Sequence, residues 1–321
     1  MTKVTLSNMS RLRRTPGATA LLFLTDRCPV GCGHCSVASR PDSPTITDRP
    51  LFREIVSGLA EVEELEVLAI TGGEPFAERW GLTHATEAMH KAGIPTVVFT
   101  SGHWAGTRRI ASWIPGTLRK VATVVLSTDS FHTRKVAEDR LRRAAELILD
   151  AGCHLILQIV NERTTTNLSW LPDSVEVNLV APLPHGRGRQ VFSVPAPRPM
   201  AAYGPCGLTN SPTIRYDGTV IACCSEPVIM RAAGHDDLRR SVRHRSEIGV
   251  ALRSLREAPV LRVIGGQGPR ALAMLPHLSM AAKAEYLSIC HACHAAHEAV
   301  GRSSDAARMV VALAGMEGTS A

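Results

Sequence analysis

Short apolar, β-branched runs alternate with amphipathic stretches through the first 180 residues of the chain. The runs 20–26, 66–71, 95–100, 121–127, 154–160 and 175–180 have the length and composition of buried strands. Between them, apolar positions recur at helical spacing over 50–63, 78–92, 105–118, 133–151 and, more briefly, 164–170. Asp48 with Pro50 in the following turn marks a helix start, and Ala151-Gly152 a helix stop. Repeated βα units of this kind predict a parallel sheet, with chemistry at the carboxyl ends of its strands.

The pattern breaks near Ala181. Pro182, Pro184, Pro195, Pro197, Pro199 and Pro205 punctuate the next stretch, which predicts an exit from the βα repeats and a linker. Beyond it, Ile214-Arg-Tyr and Thr219-Val-Ile-Ala flank Asp217-Gly218, a strong hairpin signal. Residues 315–321 have the composition of a frayed tail.

Composition narrows the class. A chain of 321 residues with 45% hydrophobic content can bury a full core, and 4% aromatic content leaves Leu, Val, Ile and Ala to fill it. No apolar run reaches the roughly 18 residues of a membrane helix. Arg13 and Arg14 precede an apolar stretch in the manner of an export signal, but that stretch ends at Asp26 and Arg27 and leads into cysteines. It is therefore read as the first strand of a cytoplasmic enzyme. Nine cysteines in such a chain point to metal rather than to disulfides, because reducing compartments keep thiols free. The net charge of +7 owes much to arginines in 231–262, but Asp236, Asp237, Glu247 and Glu257 share that stretch and no aromatics interleave it. A solvated helical face accounts for it, and neither nucleic acid nor membrane is expected as a partner.

The chemistry begins where the first strand ends. Cys28, Cys32 and Cys35 form a C-x3-C-x2-C array, and the next cysteine is Cys153. Three thiolates can hold a four-iron cluster while leaving one iron without a protein ligand. Structural zinc would need a fourth ligand, for which only His34 is at hand locally. At the end of the second strand stand Thr71, Gly72, Gly73, Glu74 and Pro75. Together the array and this motif resemble the radical S-adenosylmethionine (radical SAM) enzymes. The resemblance implies an α/β fold, a partial (β/α)6 TIM-like barrel. It also implies a 4Fe-4S cluster on Cys28, Cys32 and Cys35 whose open iron is chelated by S-adenosylmethionine (SAM), cleaved on reduction to a 5′-deoxyadenosyl radical that abstracts hydrogen from a substrate.

Further residues follow from the same resemblance. Gly72, Gly73, Glu74 and Pro75 would bind the SAM amino group, and His34 would stand beside the adenine. Ser127 and Asp129 would face the ribose; Asn161 and Arg163 would meet the carboxylate. Each of these strand-end residues could equally serve as a turn former or cap. His132 is a candidate for substrate contact or proton transfer, whereas Trp104 and Phe131 are expected to pack on the barrel. Cys153 is read as a small core residue.

Cys206, Cys223, Cys290 and Cys293 resemble the auxiliary-cluster domain, twitch or SPASM in type, appended to many radical SAM enzymes. A second 4Fe-4S cluster is the implied cofactor, with zinc the alternative because His291, His294 and His297 surround the last pair. Strand alternation lets only one of Cys223 and Cys224 face that cluster. The Gly-x4-Cys spacing selects Cys223, which leaves Cys224 buried or available as a hydrogen-atom donor. The expected organisation is an N-terminal extension over 1–19, the barrel over 20–195, a small α+β auxiliary-cluster domain over 196–300, and a C-terminal helix and tail over 301–321.

The function expected is therefore oxidation, epimerisation or rearrangement of a substrate through SAM cleavage, with a reducing partner such as flavodoxin or ferredoxin. With some nineteen residues ahead of the first strand, no leader-binding unit is expected, which favours a small-molecule, natural-product intermediate over a ribosomal peptide. From other classes, a non-catalytic iron-sulfur electron-transfer protein or a zinc-binding interaction protein would keep the cysteines without the SAM chemistry.

Overall fold

The structure is a computed structural model that describes residues 2–106, 109–160, 168–230 and 236–315. Six parallel strands stand in sequence order: β1 (Thr19–Phe23), β2 (Val67–Thr71), β3 (Thr96–Thr100), β4 (Thr123–Ser127), β5 (His154–Val160) and β6 (Glu176–Val180). Each falls on a run expected from the sequence. The near-continuous apolar content of β1 to β5 suits a sheet buried on both faces, whereas β6, at the edge, alternates partly buried and exposed positions. Of the intervening helices, Arg49–Ala60 starts as expected, with the Asp48 carboxylate accepting from Leu51 N at 2.9 Å, and Glu138–Asp150 ends at Ala151 before Gly152, whose φ is +83°.

Two helices are shorter than their periodicity suggested. The stretch 105–118 yields only Trp113–Leu118, behind a 3-10 turn at His103–Gly106; Pro115, which cannot donate an N–H, limits how far upstream the helix extends. The stretch 133–151 loses its start because Asp129 caps a separate turn, Ser130–Thr133, and Ala137 is extended. Most of 164–170 lies outside the described residues.

After β6 come the two-residue strand β7 (Arg198–Pro199), then β8 (Thr213–Arg215), β9 (Thr219–Ile221), β10 (Arg239–Ser241) and β11 (Glu285–Tyr286). The β8–β9 hairpin turns at Gly218, with φ +84°, as the Asp-Gly signal predicted. Its location differs from expectation. Rather than standing in a separate unit, β8 pairs in parallel with β1, so one sheet runs β10-β9-β8-β1-β2-β3-β4-β5-β6 and crosses the boundary drawn near residue 195. The sheet is open, with β10 and β6 at its edges.

A buried ion pair welds the hairpin to β1. Arg215 Nη2 and Nη1 donate to the Asp26 carboxylate at 2.7 and 3.2 Å, Tyr216 Oη donates to the same carboxylate at 2.7 Å, and the guanidinium lies 5.0 Å over Phe23. A second core, built from Met200, Tyr203, Val263, Leu272, Ala292, Ala296 and Val310, holds the C-terminal helices together with the small β7–β11 sheet. A further cluster packs Val4 and Leu12 of the N-terminal segment against Val97 and Ile156 of the sheet. No helix among the described residues is long and apolar enough to cross a membrane.

Removing one partner of a buried pair strands the other charge, so Asp26→Ala should destabilise the protein by about 3–5 kcal/mol. Denaturant unfolding checks this, and the double variant Asp26→Ala, Arg215→Met should lose less than the two single losses combined.

Candidate active site

The site is assembled on the three residues that leave β1. Gly73 N donates to Thr25 O at 2.6 Å and Glu74 N to Arg27 O at 2.9 Å, docking the turn after β2 onto the segment just ahead of Cys28. The contact admits only glycine. A Cβ on Gly72, at φ +146°, would lie 2.4 Å from Thr25 O, and one on Gly73 would lie 2.2 Å from Arg27 O. The sequence reading assigned these glycines to close approach of a ligand; in the fold they bring two backbone segments together.

Glu74 is buried and fully engaged. Its carboxylate accepts from Phe76 N at 3.1 Å, Thr100 Oγ1 at 2.7 Å, Ser101 N at 2.9 Å and Ser101 Oγ at 2.5 Å. Four donors fill a carboxylate's ordinary capacity. Glu74 thus ties the end of β3 to the turn after β2.

Cys28, Cys32 and Cys35 line a cavity of about 390 Å³ at the carboxyl ends of the strands, together with Gly72, Gly73, Glu74, Ser127, Asp129 and His132. Burial pushes the Cys28 thiol up to about 11, so metal uptake there must displace a proton. Spacing then discriminates between metals. A tetrahedral zinc at 2.3 Å from each sulfur would draw the thiolates to within ~3.8 Å of one another. Among the described residues, the one trio of ligating atoms lying within 4.8 Å of one another is His34, Asp129 and His132, with no cysteine in it. Neither cysteine group is drawn in around a single ion. A four-iron cluster, in which each thiolate takes a different iron, asks for no such closeness.

Asp129 caps the turn that follows β4, accepting from Phe131 N at 2.8 Å and His132 N at 2.9 Å. Its other oxygen bonds His132 Nδ1 at 2.8 Å and lies 3.5 Å from His34 Nε2. Burial alone would raise its pKa, but the His132 contacts outweigh that and lower it. Burial alone would lower His132; bonds to Asp129 and Cys32 raise it to about 10. His34, pushed down to about 4 chiefly by burial, is a neutral ring packed 4.6 Å from Phe131. Asn161 and Arg163 lie outside the described residues. Trp104 stacks on Phe76 at 4.9 Å, and Cys153 is buried with its thiol on Leu118 O at 3.1 Å, both as core packing.

The later cysteines divide as the hairpin leaves β9. Cys223, half-buried, lies within electrostatic reach of Cys290 and Cys293, and those two in turn of Cys206. Cys290 and Cys293 sit at the start of the helix Ile289–Gly301, which Ser288 caps. Cys224 lines the same cavity as Cys28, Cys32 and Cys35, while also lying within electrostatic reach of Cys206. Glu226 lines it too, held above the usual carboxylate range by burial.

Three lining or supporting residues had no signal strong enough to be singled out: Glu226, Phe192 and Arg187. Arg187 lies in the proline-punctuated stretch read as a linker, yet its side chain donates to Cys32 O at 2.8 Å and Ser39 O at 2.9 Å. The Gly186-Arg-Gly188 pattern was its trace in the sequence.

No family model matches the chain. It is similar to YydG of Bacillus subtilis, a protein named for peptide biosynthesis, with 24% identity over 130 residues, 40% of this chain and 41% of that one. It is also similar to the PqqA peptide cyclase of Rhizobium meliloti, 29% identical over 173 residues, 51% of this chain and 44% of the cyclase. The chain thus matches less than half the length of these curated relatives. Among solved structures, anSMEcpe with bound AdoMet and Cp18Cys peptide aligns over 92% of this chain and 99% of its own at TM-score 0.50 and 14% identity. Streptococcus suis SuiB bound to precursor peptide SuiA aligns over 76% and 69% at TM-score 0.50 and 12% identity. The fold shared with these structures is mixed α/β around a central parallel sheet, here with the cysteine array at the carboxyl end of β1. The curated similarities, together with the cysteine array and the Gly72–Pro75 turn, support a place for the chain in the radical SAM superfamily.

Because the Gly73 contact is backbone against backbone, Gly73→Ala should cost about 1–3 kcal/mol of stability in the metal-free protein. Gly33→Ala, where a Cβ meets nothing within 4 Å, should leave the denaturation midpoint unchanged.

Proposed function

We propose that the protein is a radical SAM enzyme that abstracts a hydrogen atom from a peptide and returns one from Cys224, the net change being epimerisation. The observation that carries this reading is a single cavity lined by Cys28, Cys32 and Cys35 and by Cys224 as well. Cys28, Cys32 and Cys35 would hold the 4Fe-4S cluster, which together with SAM would supply, when bound, a 5′-deoxyadenosyl radical. The glycine turn and the strand ends at Ser127 and Asp129 would orient SAM. Since the Glu74 carboxylate already has four donors, a SAM ammonium would find its acceptors among the carbonyls of that turn.

Cys224 suits hydrogen return for a physical reason. Burial holds its thiol up to about 11, so the S–H bond is intact at neutral pH, whereas a thiolate has no hydrogen atom to give. Loss of a substrate C–H hydrogen leaves a carbon radical. Transfer of the Cys224 hydrogen makes the new C–H bond and leaves a sulfur radical, which one electron from an external carrier such as flavodoxin or ferredoxin, with a proton from solvent, restores to the thiol. Cys206, Cys223, Cys290 and Cys293 would hold the auxiliary 4Fe-4S cluster, and Cys224 follows directly on one of its ligands, which gives that electron a short path.

The names of the relatives favour a peptide: a PqqA peptide cyclase, a precursor peptide bound to SuiB, a peptide bound to anSMEcpe. They weigh toward the reading that the short N-terminal stretch had put second to a small molecule.

Two measurements test the proposal. Anaerobic reconstitution should give roughly eight irons per chain, and roughly four after joint substitution of Cys28, Cys32 and Cys35 by alanine. In deuterium oxide with SAM and dithionite but no substrate, the wild type should release 5′-deoxyadenosine carrying one deuterium from the exchanged Cys224 thiol. Cys224→Ala should release it unlabelled. Equal labelling in the two proteins would refute the role of Cys224, and no 5′-deoxyadenosine from the wild type would refute the reaction class.

A further inference from the structure

We propose that Arg187 raises the reduction potential of the cluster held by Cys28, Cys32 and Cys35, acting as a positioning residue through the backbone of the cysteine loop. The inference rests on the reading of those three cysteines as cluster ligands. Three of the loop's carbonyls point at this one residue: Cys32 O accepts from Arg187 Nε at 2.8 Å, Ser39 O from Nη2 at 2.9 Å, and Cys35 O from the Arg187 backbone N–H at 3.0 Å.

The flanking glycines make the approach possible. Gly186, at φ +53°, sits so close to the loop that a Cβ there would lie 2.6 Å from Cys35 O and 2.5 Å from Ser36 O. A Cβ on Gly188 would lie 2.3 Å from Leu183 O and 3.2 Å from His34 O. The turn from Gly186 to Gly188 is therefore packed onto the cysteine loop, and the arginine between them reaches across it.

Geometry alone would make this a clamp; the charge makes it more. A guanidinium stays protonated at any working pH. Among the described residues, no carboxylate lies within ion-pair distance of it, so its charge is not cancelled locally. Two of its three acceptors belong to cluster ligands, Cys32 and Cys35, and Cys32 is buried. One-electron reduction makes a thiolate-bound cluster more negative, and an uncancelled cation beside the ligands stabilises that state most. Outer contacts to ligand residues are an established way for a protein to tune its metal. Arg187 thus eases reduction of a site that must accept an electron before SAM is cleaved.

The test is an EPR-monitored redox titration of reconstituted wild type, Arg187→Lys and Arg187→Gln, followed on the signal that disappears when Cys28, Cys32 and Cys35 are replaced. Arg187→Gln should titrate at a more negative midpoint than wild type, and Arg187→Lys, which keeps the charge but loses the fork, should stay close to wild type. Midpoints equal in all three proteins, or shifted equally in both variants, would overturn the proposal. Should Arg187→Gln fail to retain the cluster while Arg187→Lys does, charge at this position is again what matters; loss in both would show a clamp only and overturn it. A wild type with no such signal would instead refute the cluster assignment beneath.

Discussion

Everything at the site hangs on three consecutive residues, Thr25, Asp26 and Arg27. Their two flanking carbonyls take the N–H groups of Gly73 and Glu74, and the side chain between them takes Arg215 and Tyr216. Thr25 also holds Thr45, and the Asp26 N–H bonds Pro44 O, which closes the cysteine loop behind itself. A strand exit is thereby fixed from both neighbouring strands at once. Cys28 follows directly, so the first thiol of the array inherits a position set by backbone contacts that tolerate no side chain at Gly72 or Gly73.

From that hub the cavity walls follow in turn. Glu74, locked by four donors, carries the order of the β2 turn across to the end of β3. Arg215 carries it the other way, through the hairpin to Cys223 and Cys224. Of these neighbours Cys224 lines the cavity and Cys223 does not, a one-residue step that decides which thiol meets the site. The third wall returns from far along the chain, where Gly186–Gln190 folds over the cysteine loop and Phe192 closes on His34 at 6.2 Å. Buried Asp129 and half-buried His132, bonded to each other at the end of β4, complete the rim.

How much of this was legible follows from the range of each signal. All six parallel strands and the Asp217-Gly218 turn could be read, because strand composition and turn chemistry are written within a few residues. The C-x3-C-x2-C array and Gly72–Pro75 were equally local. What escaped depends on contacts across long separations. That Gly72 and Gly73 serve the Thr25–Arg27 backbone, that Glu74 is saturated by Thr100 and Ser101, and that β8 joins the β1 edge rather than a separate unit are all facts of tertiary pairing. Arg187 is the sharpest case. Prolines on either side gave its segment the look of a linker, while its purpose lay some 150 residues earlier at Cys32 and Ser39. The shortened helices at 113–118 and 138–150 show the opposite limit, where helical periodicity was present but Pro115 and the Asp129 cap decided the boundaries.

The central claim is that the Thr25–Arg27 hub holds a three-cysteine cluster with one iron open toward the Gly72–Glu74 turn. The most direct measurement is the EPR spectrum of the reduced, reconstituted protein with and without SAM. The account predicts that SAM changes the spectrum of the cluster that depends on Cys28, Cys32 and Cys35 and leaves any signal that depends on Cys206, Cys223, Cys290 and Cys293 as it was. Identical spectra with and without SAM, or a change confined to the second group, would contradict it.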